Sequence, residues 1–306
     1  MKIIEPSADI IEPELAGLSV CQRIDRCASV CYQRPPKPTE EEAEAFCRKL
    51  IERGHLPALE MALVHLWMPW EIADRYSVQK FMMVDPINGD ESTRAFLHVR
   101  GVSGRYGREG CVTGSIRAFM EADGITGRWS RNTFLFQQYP LFFEDNTKTQ
   151  KEDRVYSRFA TPEEVPWQHR HVAVRVICSR AISHQLVRHR PCSFLQESQR
   201  YCRYDDEVVF IRPEWADGEW ALFRAHCETS EMMYRVRIAK GLSPQQARGA
   251  LPNDTKTELI MYASLPEWLH IFDQRCAKAA DPEMRRIMVP LREQFRAEYP
   301  EMWEEN

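Results

Sequence analysis

From residue 43 onward, Ala43, Phe46, Cys47, Leu50 and Ile51 recur three or four positions apart. That is the period of one buried helix face. Arg34-Pro35-Pro36-Lys37-Pro38 makes a turn ahead of this run, and Thr39 with Glu42 forms a capping box. Gly54 ends the helix as a C′ residue, and His55 follows at once. Residues 60–68 predict a helical turn running into a strand. Between about 69 and 170 the pattern loosens into turn signals (Asp85-Pro86, Asn88-Gly89), polar loops and short strand-like runs. One helix is predicted there, Ser115 to Ala122. Asn146 to Pro166 is charged and reads as a mobile surface loop.

Periodicity returns at His171. His171 to Ile177 alternates apolar and polar residues, as a half-buried strand does. Ser179 caps a helix predicted through Arg190 and stopped by Pro191. Residues 192–206 read as loop and Val208 to Ile211 as a short strand. Asp217 caps a long helix ending at Gly241, and Ser243-Pro244 with Gln246 opens another, ended by Pro252. Thr257 to Ala263 fits strand or helix. Ser264 with Glu267 caps a helix to about Ala277, whose Leu265, Trp268 and Phe272 read as core. Asp281-Pro282 starts the last helix, interrupted by Pro290.

Composition narrows the class. The 306 residues allow two domains, or one with a large insertion; the reading taken is one domain over 1–306 with 69–170 inserted. Hydrophobic residues at 43% exclude global disorder. No apolar run reaches the ~18–20 residues of a membrane span, and Met1 to Pro6 lacks a signal peptide's apolar stretch. A soluble, cytoplasmic protein is expected, with no membrane partner. With 41 basic and 45 acidic residues, the net charge of −4 argues against a bulk nucleic-acid footprint. Ten cysteines are scattered without a Cys-x-x-Cys pair or zinc-type spacing. They read as reduced, partly buried thiols, and no metal site is expected.

The chemistry concentrates in Arg188-His189-Arg190-Pro191-Cys192-Ser193-Phe194-Leu195-Gln196-Glu197-Ser198-Gln199-Arg200-Tyr201. Three cations sit at a predicted helix C-terminus, where the macrodipole favours them. Guanidinium groups suit bidentate phosphate contacts. The amides of Gln185 and Gln196 suit the edge of a base. Arg180, His184 and Arg188 fall four apart and would share a face. A solvated basic helix end is the plain alternative.

The wider pattern, Ser-Arg-Ala-x-x-x-Gln-x-x-Arg-His-Arg-x-x-Ser-x-x-x-x-Ser-x-Arg-Tyr over Ser179 to Tyr201, resembles the signature of the flavin-dependent thymidylate synthases. Gly54-His55 with Glu60 resembles the element after that family's first helix. Arg248 in Ala247-Arg248-x-x-Leu251-Pro252 and Arg275, before Ala280-x-Pro282-Glu283-Met284-Arg285, resemble further nucleotide-binding arginines. The resemblance covers about 27–67 and 171–290. The chain departs from the family in the ~100 residues between the two parts, too long for an ordinary connection. It also departs at Cys31, Ser264 and His270.

The resemblance implies an α/β fold with a mixed sheet flanked by helices, not a doubly wound nucleotide fold. No Gly-x-Gly-x-x-Gly occurs, in keeping with a family that binds FAD without that loop. It implies methylation of dUMP at C5 to dTMP, with FAD, methylenetetrahydrofolate as one-carbon donor and NADPH as reductant. Arg200, Arg275 and Ser198 would act at the reaction. Gln185, Arg188, Gln196, Ser198, Arg200, Arg248 and Arg275 would bind dUMP. His55, Glu60, Arg188, His189, Arg190, Gln196 and His270 would face FAD and folate. Ser193 reads equally as a local cap, and Tyr201 as packing or as a hydroxyl near the site. No cysteine is nominated as a nucleophile. A homotetramer with shared active sites is implied. The alternatives are the same chemistry on UMP or another pyrimidine nucleotide and, remotely, a non-enzymatic nucleic-acid-binding protein.

Overall fold

The computed structural model describes residues 1–69, 98–101, 108–126, 133–143 and 158–304. Among these residues, ten strands are present: β1 (Lys2–Ile4), β2 (Ser7–Ile10), β3 (Leu63–Pro69), β4 (His98–Gly101), β5 (Arg108–Ser115), β6 (Arg158–Phe159), β7 (His171–Ser179), β8 (Ser193–Gln196), β9 (Val209–Ile211) and β10 (Lys256–Ser264). The chain divides into two compact units: Met1–Gly17, Arg26–Pro36 and His171–Asn306 form one, and Leu18–Asp25 with Lys37–Arg170 form the other. The boundary at Arg170 coincides with the end of the irregular stretch, whereas the second unit begins well before residue 69. No described helix is long and apolar enough to cross a membrane.

The first unit is built on a four-stranded antiparallel sheet ordered β2-β7-β10-β8. Its centre is β7 against β10, in register from Lys256↔Ser179 to Ser264↔His171. Val172, Val174, Val176 and Ile177 give β7 the branched side chains that suit a pleated surface. The ambiguous segment near Thr257 is a strand because it pairs on both sides, with β7 and with β8. Among the described residues, parallel pairing is confined to β1 with β9. Helix and sheet thus mix as the α/β expectation requires, with both strand directions present.

Against this sheet lie the helices Leu265–Arg275 and Pro282–Glu298. Trp268, Phe272 and Phe295 pack as a triad with ring centroids 5.0 to 5.7 Å apart. Trp268 Nε1 donates to the Val172 carbonyl at 3.1 Å, which locks the helix to β7. Losing one such buried aromatic ring costs about 3–5 kcal/mol. Pro290 does not end its helix, which runs through to Glu298 with the proline on the exposed side. A second cluster, with Phe210, Phe223, Cys227 and Tyr234, sits under the helix Trp220–Ala239. That helix starts without a side-chain cap; Asp217, expected to cap it, is drawn instead to Arg212.

The second unit carries an antiparallel sheet ordered β4-β5-β3-β6. The helix Glu40–Glu52 starts at Thr39, whose Oγ1 accepts from Glu42 N, and ends before Gly54 at φ +68°. A 3₁₀ turn, Leu56–Met61, precedes β3, and a helix spans Ile116–Thr126. Of the expected loop Asn146 to Pro166, residues 146–157 lie outside the described residues; the rest holds β6 and a 3₁₀ turn at Pro162–Glu164.

Candidate functional site

Ser179 converts strand into helix. Its Oγ accepts from Ile182 N, and the helix Arg180–Leu186 follows. This helix stops four residues short of the expected Arg190. The carbonyl of Gln185 is taken by Arg275 Nη2 at 3.2 Å, and His189 N bonds back to the Leu186 carbonyl as a tight turn. A cation from a distant helix therefore supplies the C-terminal cap. Arg188, His189 and Arg190 consequently lie in a turn, and Arg188 does not continue the helical face of Arg180 and His184.

The chain then returns as β8, in a segment expected to be loop, where Gln196 pairs opposite Leu259 of β10. Gln196 Nε2 donates to Ser183 Oγ at 2.9 Å and to Thr257 Oγ1 at 3.0 Å. Glu197, whose residue is only 3% exposed, accepts from Lys256 Nζ at 2.9 Å and from the Tyr204 hydroxyl at 2.7 Å. Burial, then the Glu197 carboxylate, raise the Tyr204 pKa and keep its proton in place. This buried network anchors the signature loop immediately before Ser198. A cavity of about 260 Å³ opens beside it, lined by Tyr32, Tyr201, Arg203 and Lys256 among others.

Two groups of expected site residues emerge. In the first, Arg275 Nε donates to His189 Nε2 at 2.9 Å. Burial, then the neighbouring Arg188 charge, lower the Arg275 pKa. Gln185 Nε2 donates to Asp281 Oδ2 at 2.8 Å. His270 lies edge-on to His189 at 6.3 Å and bonds to Gln274. In the second group, Arg200 Nε donates to Gln245 Oε1 at 3.0 Å, which ties the signature loop to the short helix that ends at Arg248. The Arg200 guanidinium also lies 5.7 Å from the exposed Tyr201 ring, which pairs with Tyr32. Ser198 Oγ accepts from Arg200 N at 3.3 Å. No hydrogen bond or ion pair among the described residues joins the two groups.

His55 and Glu60 belong to the second unit. His55 is exposed at the head of the 3₁₀ turn, and Glu60 is paired with Arg117 at 2.7 Å. Ser193 lies on β8 opposite Tyr262.

The charge pattern points to an anionic ligand. Arg188, Arg190, Arg200, Arg248 and Arg275 form no ion pair among the described residues, although Arg175, Arg203, Arg212, Arg235 and Arg286 all do. Gln199 Nε2 and Arg285 Nε are further buried donors without a hydrogen-bond partner there. Guanidinium groups without a counter-charge, together with amide donors, are the set that phosphates and electron-rich rings need. His189, Glu267 and His270 bring potential metal-ligand atoms within 4.8 Å of one another, a grouping that local spacing did not reveal. Arg275 already occupies His189 Nε2, and Arg188 stands close by, so a cation there would meet two like charges. Burial pushes the thiols of Cys31, Cys111 and Cys202 up to about 11 and those of Cys178 and Cys227 up to about 12, so none of these five is an activated thiolate.

Asp281, Ser183, Thr257, Glu197, Gln245 and Glu267 surround these side chains and were not singled out from sequence as site residues. Asp281 and Glu267 were visible only as helix caps.

Comparison with known proteins agrees with the signature. Residues 126–301, more than half of the chain, match the family model described as thymidylate synthase complementing protein. The flavin-dependent thymidylate synthase of Pyrococcus furiosus is 36% identical over 125 residues, 39% of this chain and 51% of the relative. That of Geobacter sulfurreducens is 33% identical over 117 residues, 37% and 50% of the two chains. That of Synechocystis sp. is 30% identical over 148 residues, 42% and 67%. The chain spans about half the length of the first two of these relatives. His55 and Glu60 fall outside the span of the family model.

Proposed function

From its membership of the thymidylate synthase complementing protein family, we propose that this chain is a flavin-dependent thymidylate synthase. The reaction is the reductive methylation of dUMP at C5 to dTMP. FAD is the cofactor, methylenetetrahydrofolate the one-carbon donor and NADPH the reductant. The observation that carries the reading is the set of five arginines without counter-charges, gathered around the signature.

The donor chemistry fits both an oxidised flavin dinucleotide and a nucleotide monophosphate. Arg188, His189 and Arg190 would hold FAD and flank the folate, with Gln196 and His270 beside them. His55 and Glu60 are assigned to the same ligands on the resemblance. When bound, the flavin supplies the hydride that completes the methyl group; the protein supplies orientation and charge. Arg200 and Arg248 would take the phosphate of dUMP, with Ser198 and Gln196 lining its pocket. Arg275 and Arg188 would place positive charge where a uracil ring becomes electron-rich as C5 acts as nucleophile. The partial burial of Arg275 would limit the screening of that charge by water. With its Nε spent on His189 and its Nη2 on the Gln185 carbonyl, Arg275 keeps donors at Nη1 for a ligand. No protein nucleophile is required, in keeping with the raised thiols.

The two separate arginine groups favour a homotetramer in which different subunits complete one site. The test is a visible spectrum of the protein loaded with FAD, desalted, then titrated with dUMP and separately with UMP. A flavin band that shifts with dUMP alone supports the proposal. A shift with UMP alone moves the substrate, and failure to retain flavin overturns the cofactor and the reaction together.

A further inference from the structure

Resting on the nucleotide reading above, we propose that Asp281 is a positioning residue that makes the site select a base edge carrying a hydrogen-bond donor, uracil rather than cytosine, by fixing which end of the Gln185 amide faces the ligand.

The argument starts from Asp281, which precedes the helix Pro282–Glu298. Its Oδ1 accepts from Glu283 N at 3.0 Å and caps the helix. Its Oδ2 accepts from Gln185 Nε2 at 2.8 Å. An ionised carboxylate has no proton to donate. The end of Gln185 that faces it must therefore be the NH₂, which turns Oε1 away from Asp281. Oε1 makes no hydrogen bond among the described residues. The residue's main chain is pinned as well, because its carbonyl accepts from Arg275 Nη2 at 3.2 Å.

Gln185 therefore keeps an acceptor, Oε1, on its side chain while its main-chain carbonyl holds the cationic donor Arg275. Uracil offers the complement along its edge: an N3–H donor flanked by carbonyl acceptors. Cytosine has an unprotonated N3, and placing that lone pair against Oε1 opposes two acceptors. Cytosine could match the same pair only by slipping one position along its edge, which would drag the ring away from the phosphate contacts and shift C5. A site built around a specific hydrogen bond rejects the analogue that lacks it far more strongly than a site built on shape alone.

Asp281→Asn is the informative variant. Helix capping still needs an oxygen at Glu283 N, so the new Nδ2 faces Gln185. The Gln185 amide must then flip and present its NH₂ to the base. The experiment is a flavin-band titration of the FAD-loaded protein with dUMP, UMP and dCMP. Wild type is expected to bind dUMP at least 100-fold more tightly than dCMP. In D281N, that ratio falls at least tenfold, with dUMP weakened and dCMP strengthened, while the dUMP-to-UMP ratio and the melting temperature hold. A capping defect alone would lower stability and leave the base ratio where it was. If D281N does not fold, Gln185→Met, which keeps the volume and lacks the amide, is expected to weaken dUMP tenfold and dCMP much less. An unchanged base ratio in folded D281N, with dUMP still bound, overturns the role of Asp281 and leaves the synthase reading standing. A wild-type protein that answers no nucleotide overturns both.

Discussion

Arg275 Nε donates to His189 Nε2 across 2.9 Å, joining residues 86 positions apart in the chain. The acceptor nitrogen must be bare, so the His189 proton sits on Nδ1, the atom 3.7 Å from Glu267 Oε1. A carboxylate thus stands on the protonated side of the ring and a guanidinium on the other, and the same guanidinium also reaches the Gln185 carbonyl. Neither Arg275 nor Arg188 has a counter-charge among the described residues. Arg275→Ala removes a partly buried cation that neutralises nothing and, with it, the donor to the Gln185 carbonyl, so stability should fall by no more than the ~1 kcal/mol of one hydrogen bond. The same variant should lose about 1.5–3 kcal/mol of nucleotide binding, the scale of a charged hydrogen bond. Calorimetric melting beside a dUMP titration separates the two effects, and a large loss of stability with normal dUMP binding would contradict both.

Replacing His189 by Phe keeps the ring and removes the acceptor. Arg275 then loses its anchor but not its charge. A tenfold or greater weakening of the dUMP response is expected, smaller than that of Arg275→Ala. The double variant should be no worse than Arg275→Ala alone, because residues acting through one another are not additive. Additive losses in that double-mutant cycle would mean that His189 acts independently of Arg275.

Glu197→Ala leaves Lys256 Nζ with the Glu258 carboxylate, 3.4 Å away, and the Gln33 amide oxygen at 3.3 Å, and strips the Tyr204 hydroxyl of its acceptor. Breaking a buried pair from one side costs about 3–5 kcal/mol, and the remaining Glu258 contact places this case at the lower end. Urea denaturation should show that loss as a lower midpoint with an unchanged slope. A shift under about 1 kcal/mol would mean that the pair is far more hydrated than its burial indicates.

The second unit should weaken in acid. His65 Nδ1 meets Thr113 Oγ1 at 2.8 Å, and the same hydroxyl meets His169 Nδ1 at 2.8 Å. Burial, then the Arg23 charge, lower His65 to about 4 from an ordinary value of 6.5. The unfolded chain therefore binds a proton that the folded one refuses. Its stability contribution is complete above about pH 6.5 and is lost as pH falls towards 4, by up to about 3 kcal/mol. Denaturation midpoints of wild type and His65→Asn across pH 4 to 7 should converge at the acid end. Parallel profiles would show that His65 is not the group responsible.

The thiols should be slow to alkylate. With Cys31, Cys111 and Cys202 near 11 and Cys178 and Cys227 near 12, these thiols hold little thiolate at neutral pH. Iodoacetamide at pH 7.5 should label the native protein slowly and leave dUMP turnover intact. Rapid inactivation that dUMP prevents would instead place a reactive cysteine in the site.

Much of this protein was legible from residues alone. Ser179 and Ser264 announced their caps, and β7 followed from alternation because both are local effects that read at fixed spacing. The signature from Ser179 to Tyr201 stood out because its polar residues fall at fixed spacing within one short stretch of chain. Tertiary structure decided the rest. The helix stops after Leu186, where Arg275, from another helix, takes the Gln185 carbonyl, and no local propensity encodes that. Ser193 to Gln196 becomes a strand because β10 offers it an open edge. Asp217 abandons the expected cap because Arg212 is a stronger partner for a carboxylate than a backbone amide. Asp281 showed in the sequence as a helix cap, yet its second oxygen meets an amide 96 residues away, and that contact orients the site. The sequence determines which groups are present and which of them repeat on one face. Only folding decides which end of an amide, or which nitrogen of a ring, is left for a ligand, since each polar group spends its bonds on whatever neighbour the packing brings.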